Sequence, residues 1–138
     1  MNLINGVITK KIEIIQETVL ELTKLHDLSI EKLKKDFFLK RGIERSIQVC
    51  IEAMIDVAHR TISLNNQKPA SSAGKALAAL EQMGVIKDAA VYKKMVQFRN
   101  LIVHRYEIIE DSILVDIVRN HLEDLTNFIN EITHYEKN

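Results

Sequence analysis

Residues 43–64, IERSIQVCIEAMIDVAHRTISL, carry the pattern that decides the fold. Their apolar positions Ile43, Ile47, Cys50, Met54, Val57 and Leu64 recur at steps of three, four and seven, which line up on one side of an α-helix. Working upstream, Ile4, Ile8, Ile12, Ile15, Val19 and Leu22 repeat the same spacing over residues 3–25. His26-Asp27-Leu28-Ser29 interrupts it, and Ser29 is placed to cap a second helix running from about Ser29 to Leu64. A bend or break is expected near Arg41-Gly42, because a mid-helix glycine costs about 1 kcal/mol relative to alanine. Downstream, Asn65-Asn66-Gln67-Lys68-Pro69 reads as a loop. Ser71 or Ser72 opens a short helix that Gly84 closes. Asp88 caps a fourth helix reaching His104 or Tyr106. Asp111 or Ser112 starts a fifth, with Leu114, Ile117, His121, Leu125, Phe128 and Ile132 on one face. The expected architecture is an all-α antiparallel bundle of about five helices in a single domain over residues 1–138.

Composition narrows the class. The chain has 138 residues, enough for one domain with a real core, and 46% of them are apolar against 28% charged, which excludes a disordered chain. Nineteen basic residues balance nineteen acidic ones, so any site for nucleic acid or phosphate must be local. Four glycines and one proline are few for a sandwich or barrel of short strands. A single cysteine, Cys50, forms no internal disulfide and suits a reducing compartment. No leader-like segment or apolar run of membrane-spanning length is seen, so a cytoplasmic protein is expected.

Several local signals carry no chemistry. Ala73-Gly74-Lys75-Ala76 lacks the upstream glycine and following hydroxyl of a phosphate loop. Cys50 lies on an apolar stripe and reads as core. The five histidines show no paired spacing and no cysteine partner, so no metal site is expected.

The fourth helix stands apart. With its core side set at Val91, the positions Met95, Phe98 and Ile102 fall within about 40° of it. Arg99 then lies about 80° off on the flank, while Val96, Val103, Asn100 and His104 occupy the outer side. Two valines beside Asn, His and Arg describe a surface that meets a second subunit or a ligand, rather than plain solvent. On the second helix Arg45, Gln48, Glu52, Asp56 and His59 line one narrow stripe. Glu52 and Asp56 are either surface ion-pair partners or a polar wall that supports Arg99 and His104.

Arg99-Asn100-Leu101-Ile102-Val103-His104-Arg105-Tyr106 resembles the Arg-x4-His-x-Tyr motif of the HepT-like toxins in the HEPN superfamily. Glu44-Arg45-Ser46-Ile47-Gln48 followed by Ile51-Glu52-Ala53-Met54-Ile55-Asp56 is similar to that family's second helix, and the similarity extends from about residue 5 to 130. The resemblance implies a helical domain that forms a homodimer through the motif helix. It implies a metal-independent endoribonuclease without a cofactor, with Arg99 and His104 catalytic and Asn100 supporting them. It further implies a type VII-like toxin–antitoxin module in which a minimal nucleotidyltransferase antitoxin transfers AMP onto Tyr106 and silences the enzyme. Paired Arg99, Lys93 and Arg105 would give the dimer a local basic cleft. A non-catalytic HEPN module that binds nucleotide or scaffolds its nucleotidyltransferase is the alternative.

Overall fold

The computed structural model describes residues 6–104 and 109–137, with the backbone alone for His104 and Lys137. Regular structure among these residues is entirely helical. The elements are α1 (Gly6–Thr23), α2 (Ile30–Lys35), α3 (Phe37–Leu64), α4 (Ala73–Gln82), α5 (Ala89–His104) and α6 (Asp111–Asp116). A π-helical turn (Ile117–His121) then leads into α7 (Leu122–Lys137). The last three form one continuous helical stretch, so the fifth expected helix exists but carries a local widening.

The long α3 is the spine. Ile43, Ile47, Cys50, Met54 and Val57 are all buried along it, joined by Ile51, Ala58 and Ile62. Helix α1 packs along α3 through Ile8, Ile12, Ile15 and Leu22, while Ile4 lies outside the described residues. Helices α4 and α5 pack against α3 and each other, and α7 touches α1, α3 and α5. Burial pushes the Cys50 thiol up to about 11, as a core cysteine requires. Leu64, expected in the stripe, is 41% exposed because α3 ends there and the chain leaves the core.

The expected break near Gly42 is not found. The helix is interrupted at Asp36, which ends α2 and whose carboxylate accepts a hydrogen bond from the Leu39 N–H at 3.0 Å. An aspartate that caps the next helix competes with continuation through itself, and this outweighs the weak propensity penalty at Gly42. Gly42 sits inside α3, where an added Cβ would meet nothing within 4 Å. Gly42→Ala is therefore expected to stabilise the protein by about 0.5–1 kcal/mol, read as a higher urea midpoint. The other caps fall where expected. Ser29 accepts from Lys32 N–H at 3.2 Å and Ser72 from Lys75 N–H at 3.1 Å. Gly84 takes φ +78° just past α4, with Val85 N–H returning to the Leu80 carbonyl at 2.9 Å.

Candidate active site

Helix α5 starts with the Ala90 N–H bonded to the Asp88 carboxylate at 3.0 Å, while Glu81 of α4 accepts from Ala89 N–H at 2.7 Å. Its buried side consists of Ala89, Tyr92, Met95, Val96, Phe98 and Ile102, whereas Val91 is 36% exposed. The core side is thus turned by about 80° from the Val91 setting. Tyr92 explains the rotation. Its ring packs edge-on against Phe128, centroids 5.1 Å apart, and its hydroxyl donates to the Glu131 carboxylate. An aromatic with a satisfied polar tip competes well for a core position that valine would otherwise hold. Burial first, then the Glu131 carboxylate, pushes the Tyr92 phenol above its ordinary value.

That rotation corrects the placement of two residues. Val96 is core rather than outer face, and Arg99 sits at the middle of the inward sector rather than on its flank. The Arg99 side chain is half-buried, and its Nε is buried with no hydrogen-bond partner among the described residues. A buried donor left in this state costs about 1–3 kcal/mol, which makes it an unusual group to keep for packing alone. Asn100 and Val103 are exposed, as expected, and so is Leu101. His104 closes α5. Arg105 and Tyr106 lie outside the described residues.

The polar stripe of α3 splits along its length. Arg45 and Gln48 line a groove of about 730 Å³ whose other wall includes Leu101 and Ile102 of α5. Glu52, one turn on, is half-buried and accepts from the Gln48 amide at 3.3 Å. Asp56 faces another way and pairs with Lys11 of α1 at 3.1 Å. Half-exposed pairs of this kind contribute about 0.2–1 kcal/mol. His59 shares the α1 side with Asp56 in a separate depression. The chain re-enters the described structure at Ile109, whose carbonyl accepts from Lys40 Nζ at 3.1 Å while the same ammonium pairs with Asp111 at 2.7 Å. Both ends of the segment bearing Tyr106 are therefore fixed to the helical frame. Among the described residues no group of three or more His, Cys, Asp or Glu side chains is arranged to hold a metal.

One signal was missed in the sequence. Residues 32–41, KLKKDFFLKR, set an aromatic pair among lysines and an arginine, and the structure brings part of this segment to the groove beside α5.

An all-helical frame with an Arg-Asn-x3-His series ending its fifth helix defines a HEPN-type domain. The ribonuclease HepT-like family model matches residues 8–132, and the chain belongs to that family. It is 30% identical over 130 residues to the mRNA nuclease HepT of Shewanella oneidensis, covering 93% of this chain and 97% of that protein. Among solved structures, the tri-AMPylated HEPN toxin of Shewanella oneidensis in complex with its MNT antitoxin superposes with a TM-score of 0.86 at 29% identity, covering 95% of this chain and 99% of the other. A toxin–antitoxin structure with AMP-PNP gives a TM-score of 0.84 at 30% identity over 94% of this chain and 98% of that one. The cytosolic protein YutE of Bacillus subtilis, 19% identical with a TM-score of 0.73 over 98% of this chain and 92% of its own, shares the fold.

Proposed function

We propose that this protein is the ribonuclease toxin of a toxin–antitoxin pair whose antitoxin is a nucleotidyltransferase. The nuclease named among its relatives and the AMPylated toxin in complex with its antitoxin both support this reading over a non-catalytic scaffold. The observation that carries it is Arg99. Its guanidinium is half-buried on α5 and makes no ion pair among the described residues, which leaves its terminal donors for an anion.

The chemistry follows from RNA itself. The ribose 2′-hydroxyl loses its proton to a histidine, and its oxygen attacks the adjacent phosphorus. The bond from phosphorus to the 5′-oxygen then breaks, that oxygen takes a proton, and a 2′,3′-cyclic phosphate remains. Arg99 offers donors to the phosphate oxygens as charge accumulates on them. A homodimer joined through α5 would supply two His104 and two Arg99, one histidine as base and the other as acid. Asn100 supports the pair, and Glu52 stands closer to the groove than Asp56. The whole chain acts as one domain in the cytoplasm, and no described helix is long and apolar enough to cross a membrane.

The test is cleavage of cellular RNA by protein shown by mass spectrometry to carry no adduct on Tyr106. Cleavage is expected to persist in chelator and to spare DNA of the same sequence, which lacks the attacking hydroxyl. Inert unmodified protein would leave the scaffold reading standing.

A further inference from the structure

The groove between α3 and the last turn of α5 has a feature that cleavage chemistry does not require. Phe37, 56% exposed, lines it, and Phe38, 85% exposed, stands beside it outside the lining, with the two rings edge-to-face at 5.5 Å between centroids. A solvent-facing phenylalanine pair at a helix start is a poor choice for solubility alone. The guanidinium of Arg41 lies 5.1 Å from the centre of the Phe37 ring.

The charges around these rings are not balanced. Four cations and two carboxylates line the groove, in a chain whose total charge is zero. Both carboxylates are already engaged, Glu44 by Arg41 at 2.9 Å and Asp111 by Lys40 at 2.7 Å. Lys34 and Arg45 have no ion-pair partner among the described residues. The cores of protein-docking surfaces are depleted in charge, whereas single-stranded nucleic acid is held by cations tracking the backbone and by aromatic rings that stack on bases. Leu101 and Ile102 form part of the same groove, in the turn that His104 closes.

We propose that this groove is the path of a single-stranded RNA into the site, with Phe37 inside it and Phe38 at its rim stacking unpaired bases and Lys34 and Arg45 holding phosphates. It rests on the ribonuclease reading and adds a strand preference to it. A duplex keeps its bases stacked inside and gives the rings nothing to bind, so structured RNA is excluded until a loop or end presents itself.

The probe is a short fluorescein-labelled 2′-O-methyl oligouridylate, which has no free 2′-hydroxyl and stays intact. Phe38→Ala is expected to weaken its binding about tenfold, as loss of one base-stacking contact does. Since Phe38 is exposed, an unchanged melting temperature will show that the fold is intact. Lys34→Gln with Arg45→Gln is expected to flatten the dependence of log affinity on log salt by about 1.4, the value for two phosphate contacts on a single strand. Affinity and salt slope equal to the parent in both variants would overturn the proposal. So would retained RNA affinity with lost co-purification of the nucleotidyltransferase, which would make the groove a protein-docking face. If the parent binds the probe through Phe38 yet cleaves no RNA, the nuclease reading fails and the groove stands. If the parent cleaves RNA and Phe38→Ala does so with unchanged KM, the reverse holds.

Discussion

His104→Ala is expected to lower RNA cleavage by about 10²- to 10⁴-fold, the range a positioned general acid or base contributes. In a two-fold dimer the substitution removes both histidines, the acid and the base together, so the upper part of that range applies. The residual activity should lose its dependence on pH near neutrality, because imidazole is the side chain that titrates there without perturbation. Initial rates on a defined single-stranded RNA, with the melting temperature as a control for folding, check it. A variant as active as the parent would remove His104 from the site and, with it, the role of the motif. Mixed dimers carrying one altered subunit sharpen the test. If the two histidines divide the proton transfers, one loss costs nearly as much as two, since acid and base act in the same transition state.

The second large effect concerns Tyr106. Tyr106→Phe is expected to abolish AMP transfer by the nucleotidyltransferase, leaving a toxin that its antitoxin enzyme cannot silence by modification. The reaction needs the phenol oxygen to attack the α-phosphorus of ATP and release pyrophosphate, and phenylalanine has no such oxygen. In the parent, each AMP transferred would add a phosphodiester anion and the bulk of a nucleoside two residues beyond His104 in the sequence. A negative charge added there would be expected to compete with the RNA phosphate for the Arg99 donors. Intact-mass measurement after incubation with partner and ATP reads the first half, and RNA cleavage by the treated proteins reads the second. Transfer to the Phe variant at the parent's rate would place the acceptor elsewhere.

The helical frame was legible because its signals are local. Ser29, Ser72, Asp88 and Gly84 act on backbone groups a few residues away, and each does so in the structure as spacing suggests. The core stripe of α3 was equally plain, since burial on one face of a long helix enforces its own period. What failed was the choice between neighbouring rules of similar strength. Gly42 and Asp36 both disfavour helix, and a side chain that satisfies the next helix start outweighed a missing one. On α5 the period was right and the phase wrong. The partners that decide the phase, Phe128 and Glu131, lie more than thirty residues away and leave no trace in the local pattern. The motif residues were visible as a series, but the inward setting of Arg99 depended on that phase. The basic aromatic groove was invisible for a related reason. Lys34 and Phe37 meet Leu101 only through tertiary packing.

The π-helical turn at Ile117–His121 has a consequence for how this chain can change length. Such a turn is an α-helix that has absorbed one residue. It lets α6 lie against α2 while α7 lies against α1, α3 and α5. Removing an exposed residue such as Asn120 would restore ordinary winding and leave α6 and α7 facing much as they do now, because the widened turn is what takes up the extra residue. Phe128 and Ile132 would then keep their places against Tyr92 and the α3 spine. The same single-codon deletion one turn into α7 would instead swing everything beyond it by about 100°. The widened turn is therefore the place in this helical stretch where the chain can lose a residue and keep its core.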